Sequence, residues 1–380
     1  MRRVRSGFPA DARIKHSSIP GLSEGPPAGR RRPFAPRSAI DMERQQQISV
    51  WLATLFPGRI RSLAPASADA SFRRYFRAAL DDGTTRVVMD APPAHEDCRP
   101  WLHVQQLFLA AGAHVPEVLA SDLERGFLLL SDLGHTTYLQ ALDANNAAAL
   151  YADAIETLVR IQVASRPGLL PEYDRALLRR ELDLFPEWYL SRHHGIVLGD
   201  DERKDLEATF DRILAVNLAE PRVFVHRDYH SRNLMHLTGS ANPGVIDFQD
   251  AVFGPISYDM VSLLKDAYVE WDEELAIDWL IRYWELARKA GLPVAADFGE
   301  FFHAYEWMGV QRHVKVLGIF ARLWHRDGKD GYLRDIPLVA RYLRRACERY
   351  AELSPLRHLL DRIEDKVTVL GYTMDAPAPG

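Results

Sequence analysis

The feature that most constrains this 380-residue chain is a pair of motifs past its middle. The first is Phe224-Val225-His226-Arg227-Asp228-Tyr229-His230-Ser231-Arg232-Asn233-Leu234. The second, Gly244-Val245-Ile246-Asp247-Phe248-Gln249-Asp250, places Asp247 fourteen residues after Asn233. In both, a short apolar run ends in a dense group of polar and titratable side chains, as when a strand delivers its end to a loop. Together they mark a small β-rich insert over residues 223–253. Around it the hydrophobic spacing is helical, with helices expected at about 143–165, 173–193, 201–217, 257–270, 273–290, 295–322 and 335–352.

The first third of the chain reads differently. A short amphipathic helix near residues 43–56 precedes strands expected at 59–66, 72–80 and 84–90, the last two joined by the hairpin signal Asp81-Asp82-Gly83. Helical spacing over 97–112 carries Trp101, Leu102, Gln105, Leu107, Phe108 and Leu109, and strands follow at 117–120 and 126–130. The order strand, strand, strand, helix, strand, strand ends at Ser131-Asp132-Leu133-Gly134. An α+β chain is therefore expected, with a small antiparallel sheet lobe at 42–131 and a larger, mainly helical lobe at 132–380.

Composition narrows the partners. The chain is 47% hydrophobic and 26% charged, ordinary for a soluble globular protein. No apolar stretch reaches the roughly 20 residues that span a bilayer, so no membrane partner is expected. The net charge of −5 gives no reason to expect nucleic acid, and no obligate protein partner is evident. Residues 1–40 hold nine Lys or Arg against two acids, +7, which leaves −12 (−5 minus +7) on the remainder. With six prolines and no periodicity, residues 1–41 are expected to be a disordered basic extension. They lack the apolar core of a signal peptide, and Met42, just ahead of the first periodic segment, reads as the natural start. The two cysteines, Cys98 and Cys347, form no CxxC pattern and suit a reducing cytoplasm. His193-His194, His303 and His325 lack zinc-site spacing.

The chemistry is carried by Asp228, Asn233 and Asp247. Transfer of a phosphoryl group to an alcohol needs a carboxylate beside the attacking hydroxyl and hard oxygen ligands for a magnesium ion on the phosphates. Asp228 suits the first task; Asn233, five residues on, and Asp247 suit the second. His226 and Arg227 complete the H-R-D-x-x-x-x-N pattern of kinase catalytic loops, and Asp247-Phe248-Gln249 stands where D-F-G belongs. Alone, the first stretch could be a self-satisfied polar loop and Asp247 a strand-end turn residue. Both in order make the kinase pattern.

Ile246-Asp247 followed by Gly254-Pro255-Ile256-Ser257-Tyr258-Asp259 resembles the aminoglycoside phosphotransferase-like family, which includes choline and homoserine kinases. The resemblance implies a protein-kinase-like bilobal fold with ATP and Mg2+ as cofactors. Gly254-Pro255 is expected to make a tight turn, and Asp259 to open a helix and buttress the catalytic loop. No A-P-E activation segment follows, which argues against a peptide substrate. Ser67-Ala68-Asp69-Ala70-Ser71-Phe72-Arg73-Arg74-Tyr75-Phe76-Arg77 and Val88-Met89-Asp90-Ala91-Pro92-Pro93, with the two central motifs, resemble more narrowly the bacterial anomeric kinases of cell-wall amino sugars. That resemblance implies phosphorylation of C1 of N-acetylmuramate and N-acetylglucosamine in peptidoglycan recycling. An aminoglycoside, choline or homoserine acceptor, or a nucleotide-binding pseudokinase, are the alternatives.

The remaining site residues are expected by analogy. The glycine-free loop 67–71 (Ser67, Ala68, Ser71) would cover the phosphates, and backbone groups at Ser131 and Leu133 would meet adenine. Met89 stands where a kinase carries its third-strand lysine, so Arg73, Arg74 or Arg86 is expected to grip phosphate instead. Gln105 is the nearest polar candidate for the lysine's partner. On the acceptor side Arg232 and Glu187 are candidates beside Asp228. The carboxylate- and aromatic-rich run 181–189 reads either as a sugar pocket or as an amphipathic helix with core aromatics. Gln311, Arg312, His313 and Lys315 read equally as anion-binding groups or as a solvated helix face.

Overall fold

The computed structural model describes residues 39–67 and 73–374. The expectations for residues 1–38, Ala68 and Ser71 fall outside the described residues. Within them the chain divides into two compact units, 39–136 with 235–250, and 137–234 with 251–374.

The first unit is built on a five-stranded antiparallel sheet in the order β1-β2-β3-β5-β4: β1 (Ile60–Ser67), β2 (Arg74–Leu80), β3 (Thr85–Asp90), β4 (Val118–Asp122) and β5 (Phe127–Ser131). Pro65, which cannot donate to a ladder, lies in the edge strand β1. The β2–β3 hairpin turns where expected: Gly83 has φ +82, and the Leu80 N–H donates to the Thr84 carbonyl at 2.9 Å. Helix α1 (Ala39–Leu55) lays Ile48, Trp51 and Leu52 on Phe76, Ala78, Val88, Phe127 and Leu129, one continuous core. Burial of each large side chain in it contributes about 1.5–3 kcal/mol. α1 begins at Ala39, inside the segment expected to lack structure.

Helix α2 (Cys98–Ala110) is capped by Asp97, whose carboxylate accepts from the Arg99 N–H at 2.9 Å. It buries Trp101, Val104 and Phe108. Gly126 permits a close approach: at φ +72, an added Cβ would stand 1.9 Å from the Ala91 carbonyl oxygen.

The second unit is helical: α3 (Tyr138–Ala141), α4 (Ala147–Val163), α5 (Arg175–Leu182), a π-helix (Phe185–His193), α6 (Asp200–Ala219), α7 (Tyr258–Leu264), α8 (Glu273–Lys289), α9 (Phe298–Asp327), α10 (Ile336–Arg349) and α11 (Ser354–Met374). A two-stranded antiparallel ribbon joins Arg222–Val225 to Val252–Pro255. Thirty-residue α9 is the spine and packs on α5, the π-helix, α6, α7 and α10.

Three sequence expectations change here, and one helix was not anticipated. The helix expected over 173–193 is broken after α5, because Pro186 offers no N–H to an α-helical ladder and the chain continues as a π-helix. The helix expected over 257–270 stops at Leu264. Gly254 makes no tight turn; it lies in a strand, where an added Cβ would come within 2.6 Å of Tyr173. Helix α11 went unread, although Ser354-Pro355 is a helix start, with Pro in the first turn.

Candidate active site

In the helical unit the strand Arg222–Val225 ends at His226, and the backbone turns sharply: Arg227 has φ +76. A left-handed residue that is not glycine costs about 1–3 kcal/mol and persists only where its surroundings impose it. Asp259, fully buried at the start of α7, does so. Its carboxylate accepts from the His226 N–H at 2.7 Å and the Arg227 N–H at 3.0 Å. This is the buttress the sequence suggested. Burial raises the Asp259 pKa to about 7, against the lowering effect of those two N–H groups.

Downstream the loop is tied to itself. The His230 N–H donates to the Asp228 carbonyl at 3.0 Å, and the Asn233 side-chain amide donates to the same oxygen at 3.0 Å. Asp266 accepts from the Ser231 N–H at 3.0 Å. Asn233 thus has its amide nitrogen fixed on the protein. Asp228 keeps 44% of its side chain accessible, with Arg312 Nη1 3.8 Å from its Oδ1. Burial alone would raise its pKa, but Lys315, Arg312, His230 and Arg227 together hold the carboxyl well below the usual range. It is an anion at neutral pH.

Those cations correct the sequence reading of α9. Gln311, Arg312, His313 and Lys315 are all buried, so no solvated face exists there. Arg312 donates to the Arg227 carbonyl at 2.8 Å and to the Tyr258 hydroxyl at 3.2 Å. Lys315 donates to the same hydroxyl at 2.9 Å and lies 2.9 Å from Glu181 Oε1. Glu181 also accepts from Arg227, Tyr173 and Gln311. Burial opposes its ionisation, yet Lys315 and Arg227 hold its pKa below the ordinary value. In the run 181–189, Glu181, Phe185 and Tyr189 are therefore core residues, while Glu187 is exposed on the π-helix. Arg232 stacks on Tyr268, its guanidinium carbon 3.6 Å from the ring centroid. His226 is buried, with Nδ1 accepting from the Asp228 N–H at 3.3 Å.

In the sheet unit, Asp247 is also left-handed, at φ +63, and its Oδ1 accepts from the Gln249 amide at 2.9 Å. Phe248 between them is fully buried against Trp101 and Phe108 of α2, with ring centroids 5.0 and 5.8 Å away. That aromatic anchor fixes the strand end on which Asp247 sits.

Several residues expected around the phosphates have partners within the protein. Met89 is fully buried. Arg74 Nε donates to Asp90 at 3.0 Å, and Arg44 Nε reaches the other oxygen of that buried carboxylate at 3.1 Å. Arg74 is thus a structural partner within the sheet unit. Arg86 donates to the Thr85 carbonyl at 2.7 Å. Arg73 precedes β2 and is half-buried. Gln105 donates to the Pro116 carbonyl at 3.1 Å, its amide engaged with backbone. The Ser131 N–H donates to the Glu117 carbonyl at 2.9 Å and is consumed by the sheet, whereas Leu133 lies beyond the last strand with a buried side chain. Ser67 closes β1.

Residues 62–296 match the phosphotransferase enzyme family. An N-acetylmuramate/N-acetylglucosamine kinase from Neisseria meningitidis serogroup B is 51% identical over 337 residues, 87% of this chain and all of that protein. Among solved structures, the choline kinase of Streptococcus pneumoniae superposes with a TM-score of 0.57 at 12% identity, covering 79% of this chain and 99% of that one. An aminoglycoside phosphotransferase in ternary complex with streptomycin and ATP gives 0.52 at 15% identity, over 78% and 95%. At such identities these two establish the protein-kinase-like fold alone. With the family match over most of its length and a half-identical kinase along nearly all of it, this chain belongs to the phosphotransferase enzyme family.

Proposed function

We propose that this protein is an ATP-dependent sugar kinase that phosphorylates the anomeric C1 hydroxyl of N-acetylmuramate and N-acetylglucosamine. The observation that carries the reading is the 51% identity over 337 residues, 87% of this chain, to a kinase named for those two sugars. The anionic, accessible Asp228 on a braced loop supports it chemically.

Asp228 accepts a hydrogen bond from the C1 hydroxyl and aims its oxygen at the γ-phosphorus. The new O1–Pγ bond forms as the bond from Pγ to the β-phosphate oxygen breaks, and ADP leaves. A hemiacetal hydroxyl is more acidic than an ordinary alcohol, so a weakly basic carboxylate suffices to take the proton late. His226 and Arg227 act on Asp228 through the loop they shape. Asn233 and Asp247 each offer hard oxygen donors of the kind magnesium selects, and a magnesium ion bound to either would neutralise charge on the phosphates. Arg232, over the Tyr268 ring, is proposed to meet the sugar, and backbone groups at Leu133 to meet adenine.

The test is Mg-dependent phosphorylation of the two free sugars, with the phosphate located by NMR. Product at C1 is expected. Faster turnover of choline, homoserine or an aminoglycoside would replace the acceptor, and no ATP consumption with any of them would leave a nucleotide-binding protein.

A further inference from the structure

One buried group near Asp228 lies far in sequence from both central motifs. Lys315 is on α9, between Glu181 of α5 and Tyr258 of α7, touching the carboxylate of one and the hydroxyl of the other, each at 2.9 Å. The same Glu181 holds the Arg227 side chain, and the same Tyr258 hydroxyl accepts from Arg312, which also grips the Arg227 carbonyl. Tyr173 closes the group, donating to Glu181 and standing edge-on to Tyr258 with ring centroids 5.3 Å apart. The left-handed Arg227 is thus held at its side chain through Glu181 and at its carbonyl through Arg312, and Lys315 joins both holds. Gly318, one turn along α9, allows the approach: a Cβ there would fall within 2.6 Å of the Leu184 backbone.

We propose that Lys315 is a positioning residue for phosphoryl transfer: by bridging Glu181 and the Tyr258 hydroxyl it fixes the Arg227 turn, and so the direction in which Asp228 presents its carboxylate. The proposal rests on the role of Asp228 in the proposed function and adds a part that neither motif contains. A buried ammonium serving only stability would be replaceable, once folded, without effect on turnover. A positioning group is not, because a displacement on the order of 1 Å at a reacting group costs about 100-fold in rate. Lys315 is enclosed by Glu181 and Tyr258, so its loss should leave substrate affinity unchanged.

The experiment compares Lys315→Met, Tyr258→Phe and their combination, with Asp228→Asn as reference, in N-acetylmuramate phosphorylation by the full chain. Lys315→Met is expected to lower kcat about 100-fold with both KM values unchanged. Tyr258→Phe removes one oxygen and is expected to fold; it should lower kcat by a smaller factor, and the double variant should lose little beyond Lys315→Met. If Lys315→Met does not fold, the kcat of Tyr258→Phe decides alone. A folded Lys315→Met with wild-type kcat, a raised sugar KM at unchanged kcat, or wild-type kcat in Tyr258→Phe overturns the proposal. Near-normal turnover in Asp228→Asn would instead overturn the catalytic role of Asp228, so the two failures are distinguishable.

Discussion

Each unit contains a carboxylate set among cations, and the two are used differently. Asp90, in the sheet unit, has no accessible surface; Arg44 and Arg74 occupy its two oxygens, and Arg44 also donates to the Arg125 carbonyl at 2.7 Å. Asp228, in the helical unit, has Arg312 no nearer than 3.8 Å and keeps 44% of its side chain open. The cations around Asp228 spend their hydrogen bonds on Glu181, Tyr258 and the Arg227 carbonyl instead. A carboxylate enclosed by its own arginines is a staple. One polarised by cations that bind elsewhere keeps part of its surface accessible. Accessibility and the geometry of pairing separate the two; the presence of nearby charge does not.

Neutralising each carboxylate tests that contrast. Asp228→Asn is expected to lower turnover by about 10²–10⁴-fold, the range for loss of a positioned acid–base group, while thermal stability stays near wild type. A variant that unfolds, or one that turns over normally, would put Asp228 in the same class as Asp90. Asp90→Asn should do the reverse. Removing the buried partner of two arginines destabilises by about 3–5 kcal/mol, read as a shifted denaturation midpoint, with the folded fraction turning over normally. Loss of activity without loss of stability would move Asp90 into the site. Gly126→Ala probes the same end of the sheet without touching a charge. Its Cβ would strike the Ala91 carbonyl, which should cost about 2–3 kcal/mol with no change in either KM.

This contrast also marks what could be read in advance. Asp228, Asn233 and Asp247 could be singled out as candidates because their spacing is local and their residue types match one chemistry. The five strands, α2 and the hairpin at Asp81-Asp82-Gly83 were legible because period-2 and period-3.6 patterns are local too. The Asp90 partner of Arg74 was not legible because strand periodicity does not reveal which anion a neighbouring strand or helix brings; it is sixteen residues on and is shared with Arg44 of α1. The block Gln311–Lys315 imitates a solvated face, since a buried polar network and an exposed one have the same composition. Only the tertiary approach of α5 and α7 distinguishes them. Gly254 was taken for a turn because sequence records the missing side chain and not the Tyr173 ring that requires it.

The last comparison sets Asp228 against two carboxyls that have no cation in hydrogen-bonding reach among the contacts described. Glu220 accepts from the Ser257 N–H at 3.1 Å and its hydroxyl at 2.9 Å, and burial raises its pKa to about 7. Asp259, two residues beyond Ser257, is raised to about 7 in the same way. A carboxyl whose pKa is higher folded than unfolded contributes stability that is complete below its unfolded pKa, near 4, and is lost as pH rises through 7. Asp228 and Glu181, whose pKa values are depressed, lose their contributions only as pH falls below about 4, so the windows do not overlap. Buried His230 and His313, with pKa values lowered chiefly by burial, act in the opposite direction, which obscures the slope of the wild-type curve alone. The difference between wild type and Glu220→Gln removes that background. Gln retains an oxygen for Ser257 but never ionises, so the variant should gain on wild type by a few degrees in Tm as pH rises from 5 to 8. A constant difference across that range would mean that Glu220 is ionised in the folded protein throughout, and that burial without a cation is not what sets its protonation.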